Sequence, residues 1–141
     1  MVFLAFIAAI VFAMMFVISI KRIVGTIRSS IEATTELTLR MHMTIPSAGP
    51  KEIYLRGPQM VVTWGLWFLL LDPAGSLVPL KRILVPLVWG GQDTNIGFAK
   101  CNVPVSGVYT LTATKVPKSS RPMYVLVCKP FRNIAAVWLL V

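Results

Sequence analysis

The hydrophobic pattern changes its period along this chain, and the first period decides most of the reading. Residues 1–20 carry no charge, Ser19 is the only polar side chain among residues 2–20, and Lys21 and Arg22 follow at once. At about 1.5 Å of rise per helical residue, such a run spans the roughly 30 Å hydrocarbon core of a bilayer. It predicts a transmembrane helix over residues 1–20. Ile20, Ile23, Val24, Ile27 and Ile31 then recur at helical spacing, with Lys21, Arg22, Arg28 and Glu32 off that stripe. The same helix is therefore expected to continue as an amphipathic extension over residues 21–35. Its apolar stripe needs a cover: the chain's own domain, interfacial lipid, or the helix of a neighbouring subunit.

Beyond the extension the period becomes two. Over residues 36–45, Leu37, Leu39, Met41, Met43 and Ile45 share one face and Glu36, Thr38, Arg40, His42 and Thr44 the other, which predicts a half-buried strand. Pro46 ends it, and Ser47-Ala48-Gly49-Pro50 reads as a turn. Residues 51–56 are a short second strand. Residues 59–71 are apolar almost throughout and too short to span a membrane, so they read as one long strand apolar on both faces. Asp72-Pro73-Ala74-Gly75 fits a type I turn. Pro79 and Pro86 restrict residues 77–89 to an edge strand or irregular chain, because proline cannot donate to a ladder. Further strands are expected at 95–103, 108–116 and 123–129, a loop at 116–122, and a last apolar run at 134–141. The fold expected is mainly β: the helix and its extension, then an antiparallel β-sandwich of about seven strands over residues 36–141.

Composition sharpens this. The chain of 141 residues is 56% apolar and 13% charged, against a usual charged share of about 25%. One helix does not account for that excess, so the domain must press on lipid or on partner proteins. The net charge of +9 lies wholly beyond residue 20, spread without any block of five like charges. A basic surface suits anionic lipid headgroups, an acidic partner or nucleic acid. The anchor favours the first two, no nucleic-acid motif supports the third, and no nucleic-acid partner is expected. A secretory signal would open with a positive stretch and close at a small-residue cleavage site; neither flanks this run, so it reads as a permanent single-pass anchor. Lys21, Arg22 and Arg28 lie on its C-terminal side, and the positive-inside rule places the β-domain on the cytoplasmic or organelle-equivalent side. Processing of a longer precursor, as in pilin-like subunits, would remove the basis for that assignment.

Ser106-Gly107-Val108-Tyr109-Thr110-Leu111 resembles the stretch that opens a late strand of immunoglobulin-like sandwiches. The resemblance implies that the Tyr109 hydroxyl bonds back to nearby backbone, and that Trp64 or Trp67 takes the place of a core tryptophan. It covers about a third of the chain, lacks matching paired cysteines, and carries a fold class but no function.

Candidate chemistry is sparse. His42, the only histidine, sits on the polar face of its strand with no aligned acid or nucleophile, and reads as a surface or interface residue. One histidine and two distant cysteines do not make a zinc site. Cys101 and Cys128 are either a disulfide or two buried thiols. With the 108–116 strand between theirs in a simple meander, they would stand about 9.6 Å apart, beyond disulfide reach, and a reducing compartment also favours free thiols. Gly90-Gly91 opens no helix and makes no phosphate loop. No catalytic residue, metal site or cofactor is assigned. The tryptophans Trp64, Trp67, Trp89 and Trp138 are the candidate partner or membrane interface, together with Lys21, Arg22 and Arg28. Trp64 and Trp67 differ by three and in a strand point to opposite faces, so at least one faces out of the core.

These features point first to a non-catalytic structural or accessory subunit of a larger membrane complex, contacting other membrane subunits and the lipid bilayer. The alternatives are a pilin-like or archaellum-type filament or stator subunit, a homo-oligomer through the N-terminal helix, and a membrane-tethered binding module.

Overall fold

The computed structural model describes residues 2–58, 65–83, 88–89 and 93–130. One helix, α1 (Val2–Ser30), is followed by ten strands among the described residues. They are β1 (Ile31–Glu36), β2 (Arg40–Ile45), β3 (Gly49–Pro58), β4 (Phe68–Leu71), β5 (Leu77–Val78), β6 (Lys81–Arg82), β7 (Val88–Trp89), β8 (Asp93–Val103), β9 (Gly107–Ala113) and β10 (Tyr124–Cys128). Seven of these have four or more residues. All pairings among the described residues are antiparallel. One sheet runs β1-β10-β3-β8-β6, with β7 also on β8, and the other runs β2-β9-β4-β5. The chain divides into two units; the strands form the one that spans residues 31–130.

The helix continues past Ile20, as the isoleucine stripe predicts, but stops at Ser30 rather than at residue 35. Ile31 leaves the stripe to pair with Cys128, and Ala33, Thr34 and Thr35 pair with Val127, Leu126 and Val125. Thr34 and Thr35 suit a strand better than a helix, and the pairing with β10 decides it. The β-domain accordingly begins at residue 31, inside the segment read as helix.

The alternation over residues 36–45 is likewise not one strand. Glu36 ends β1 in the first sheet, and Arg40 begins β2 in the second. Between them the chain changes sheets. Leu37 is buried there, with its N–H donating to the Met123 carbonyl at 2.7 Å, while Leu39 is 59% exposed. From Arg40 onward the alternation holds: Met41, Met43 and Ile45 are buried, and Arg40, His42 and Thr44 are exposed.

The strand expected over residues 59–71 is not continuous. Residues 59–64 lie outside the described residues, Gly65 has φ +73° and sits in a turn, and β4 begins at Phe68. Within β4, Phe68 and Leu70 are buried and Leu69 is exposed. The turn to β5 follows the residues Asp72-Pro73-Ala74-Gly75. The Gly75 N–H donates to the Asp72 carbonyl at 2.9 Å, the Ser76 N–H donates to Asp72 Oδ1 at 2.8 Å, and Gly75 takes φ +85°. Within residues 77–89, β5 edges one sheet, and β6 and β7 pair in turn along the free side of β8, edge placements of the kind the prolines predict; residues 84–87 lie outside the described residues. Residues 134–141 lie outside the described residues.

The core lies between the sheets. Met41, Met43, Ile45, Phe68, Leu70, Tyr109, Leu111 and Ala113 meet Ile53, Leu55, Ala99, Val103, Val125 and Val127. Each fully buried aliphatic or aromatic side chain contributes about 1.5–3 kcal/mol. The first sheet also buries residues of opposite parity, Tyr54, Leu126 and Cys128. The outward face of the second sheet is open, with Leu69, Leu77 and Val108 between 52% and 62% exposed.

Candidate membrane and partner interface

The segment Phe3–Arg22 is long and apolar enough to cross a membrane, and none of it is buried by the rest of the chain. Phe3, Phe6, Phe12 and Phe16 are each at least 60% exposed. Lys21, Arg22 and Arg28 are exposed on the same helix.

Of the four tryptophans, Trp64 and Trp138 fall outside the described residues, and Trp89 lies in β7, where only its backbone is described. Trp67 is half-buried against the core. Its ring lies 5.5 Å from that of Phe98, which meets Phe68 edge-on at 5.1 Å. The Arg82 guanidinium stands 4.9 Å over the Trp67 ring, a cation–π contact. Trp67 is therefore enclosed between the core and an arginine, and among the described residues of the domain the most exposed large apolar side chains are Leu39, Leu69, Leu77, Val105 and Val108. His42 is exposed on β2, with Nδ1 3.2 Å from the Thr110 hydroxyl opposite it.

Cys101 and Cys128 are both free. They are separated by one strand, but that strand is β3, not the 108–116 segment: Cys101 is the partner of Lys51, and Cys128 of Glu52. Burial pushes the Cys101 thiol up to about 11, against an opposing pull from Lys51. Burial also pushes Cys128 up to about 12. Both are thiols, not thiolates, at neutral pH, and so are poor nucleophiles.

The most unusual polar group in the domain is a buried cluster where the chain enters from α1. The register of β1 slips between Ile31 and Ala33, so Glu32 is the extra residue of a β-bulge. Its carboxylate meets Lys51 Nζ at 2.5 Å, with only 6% and 2% of the two side chains exposed. Lys51 Nζ also donates to Ser47 Oγ at 2.7 Å, and the Ser47 hydroxyl donates to Glu32 Oε1 at 2.5 Å. Lys129 Nζ lies 3.8 Å from the same carboxylate. Burial raises the Glu32 pKa, but the contacts from Lys51 and Ser47 and the charges of Lys51 and Lys129 outweigh it, so the carboxyl lies below its ordinary value. One signal in the sequence marks this site: Lys51 shares the period-two face of Ile53 and Leu55, which points it inward. The bulge that turns Glu32 toward it has no such signal.

The Tyr109 hydroxyl donates to the Val105 carbonyl at 2.6 Å, with the ring fully buried. It is the bond back to nearby backbone that the Gly107-Val108-Tyr109 stretch led us to expect. Gly107 is needed beside it: its φ is +149°, and a Cβ there would stand 2.7 Å from Pro73 Cγ.

Among the described residues no three His, Cys, Asp or Glu side chains come together in a way that could hold a metal ion. Compared with protein-family models, with curated proteins and with solved structures, the chain matches none.

Proposed function

We propose that this chain is a non-catalytic structural or accessory subunit of a membrane protein complex. In this reading α1 is the anchor and the β-domain docks on neighbouring subunits at the membrane surface. The observation that carries it is the unburied apolar segment Phe3–Arg22, joined through the rest of α1 to β1 with no linker between Ser30 and Ile31. The open leucines of the second sheet support it, because a basic domain with few charges otherwise leaves aliphatic side chains in water. By the charge rule, Lys21, Arg22 and Arg28 put the domain on the cytoplasmic or equivalent side.

The test is extraction from native membranes in mild detergent, followed by native-gel separation and mass spectrometry of the band that holds the chain. Co-migration with a defined set of membrane proteins supports the subunit reading. A homopolymer would move the assignment to a pilin-like filament subunit, and a lone monomer to a tethered binding module. Recovery of a soluble form starting near residue 21 would show a cleaved signal sequence and end the anchor reading.

A further inference from the structure

An open sheet edge is a row of unpaired N–H and C=O groups, which proteins blunt with short strands, bulges, prolines or inward-pointing charge. Among the described residues three of the sandwich's edges are blunted in these ways. β1 edges the first sheet with the Glu32 bulge and its buried charge. The far side of that sheet ends in β6 and β7, two residues each, and β5 edges the second sheet with two residues followed by Pro79. The remaining edge is β2. It has six residues, contains no proline or glycine, and keeps an unbroken register with β9 from Arg40 to Ile45. Among the described residues it pairs with no other strand.

The direction of its backbone groups follows from one bond. The Ala113 N–H donates to the Leu39 carbonyl at 2.9 Å. Successive residues of a strand turn their backbone groups to alternate sides. Leu39, Met41, Met43 and Ile45 therefore face β9, and the N–H and C=O groups of Arg40, His42 and Thr44 point along the free edge. The Thr38 hydroxyl donates to the Arg40 carbonyl at 2.9 Å, which leaves that oxygen a second lone pair.

This outward set is self-complementary in one antiparallel register. With His42 opposite His42 of a second copy, Arg40 falls opposite Thr44 and Thr44 opposite Arg40, so every outward residue meets an outward partner. A shift in one direction sets Arg40 opposite Pro46, which has no N–H. A shift in the other sets Thr44 opposite Thr38, outside the strand. In the central register the two Arg40 residues stand about 14 Å apart, four residues along the strand, beyond the roughly 8 Å over which charges act at physiological ionic strength. Leu39, 59% exposed, gains Ile45 of the second copy as a cross-strand apolar neighbour.

We propose that two copies of this chain pair through β2, antiparallel and centred on His42, joining their second sheets edge to edge by strand addition. The pairing uses residues of the β-domain alone and does not depend on the reading of α1.

The test oxidises the full chain in its membranes before extraction and reads dimers on a non-reducing gel. Facing Cα atoms of a hydrogen-bonded antiparallel pair lie about 5.5 Å apart, within reach of a disulfide. His42→Cys should therefore cross-link to its copy. Arg40→Cys alone and Thr44→Cys alone, each about 14 Å from its copy, should form dimers on the order of tenfold more slowly. Co-expressed, those two variants should cross-link to one another as fast as His42→Cys does to itself. All three side chains are exposed, so the substitutions leave the core intact. The chain with only Cys101 and Cys128 sets the background. Equal rates for the three single variants would mean random collision and would overturn the proposal. Faster self-linking of Arg40→Cys or Thr44→Cys would mean a different register and would also overturn it. No cross-link above background in any variant would overturn it while leaving the subunit reading standing, since that reading is decided by which other proteins share the native band.

Discussion

At the end of the sandwich where β1 begins, Glu32 and Lys51 meet at 2.5 Å with 6% and 2% of their side chains exposed. At the other end, Asp93 and Arg121 meet at 3.0 Å with 44% and 51% exposed. The charges are alike and the distances similar, so what separates the pairs is water. Around the exposed pair the solvent screens most of the attraction and would solvate either partner alone. Around the buried pair, each charge has given up its hydration and depends on the other. The cost of removing one partner should therefore differ far more than the two geometries do.

The largest effect is expected from Lys51→Ala. It leaves the Glu32 carboxylate buried with Ser47 and a distant Lys129, and should cost about 3–5 kcal/mol. Thermal unfolding of the full chain in detergent would read this as a loss of ten degrees or more, at roughly 4–8 °C per kcal/mol for a domain of this size. The double variant Glu32→Met with Lys51→Met removes both charges and should recover most of the loss. If the double is as damaged as the single, the pair is a packing element and the comparison with Asp93–Arg121 fails.

Acid sharpens the same contrast. The Glu32 pKa is lowered in the folded chain, so its contribution is fully present above the unfolded value near 4.5 and is lost as pH falls through the folded value. Unfolding temperature should therefore drop below about pH 4.5, and Glu32→Gln should flatten that drop. An unchanged acid limb in Glu32→Gln would mean that other carboxylates carry it.

A buried neutral polar group should stand between the extremes. Tyr109→Phe keeps the buried ring but removes the donor to the Val105 carbonyl. Leaving that carbonyl without its partner should cost about 1–3 kcal/mol. A loss as large as that of Lys51→Ala would show that the hydroxyl holds the β8–β9 turn in place rather than satisfying one carbonyl.

These groups were not equally legible beforehand. The Tyr109 bond is local, with donor and acceptor four residues apart, so the resemblance of Gly107-Val108-Tyr109 to the immunoglobulin-like stretch was enough to imply it. Met41, Met43 and Ile45 were legible for the same reason, since alternation within one strand needs no knowledge of its neighbours. Leu39 was misassigned because alternation does not reveal where a chain leaves one sheet for the other. Residues 31–35 carried a helical stripe that pairing with the distant β10 overrode. The Glu32–Lys51 pair depends on that same pairing, because only the slip in register against β10 turns Glu32 inward. Long-range register was the missing information in each case.

The smallest effect is expected at the exposed pair. Asp93→Asn removes the negative charge while keeping size and most hydrogen-bonding capacity. Asp93 sits at the edge of β8 opposite Pro58, where no ladder bond depends on its carboxylate. Solvent-exposed pairs contribute about 0–1 kcal/mol, and less as salt rises. The shift should thus be within a few degrees at low ionic strength and vanish in high salt, whereas the Lys51→Ala loss should persist there, because a buried pair is shielded from mobile ions. Measuring both variants across a salt series gives the contrast in one experiment. If Asp93→Asn proves as costly as Lys51→Ala, and equally indifferent to salt, then exposure does not govern what these pairs are worth, and the far end of the sandwich holds a contact as constrained as the near one.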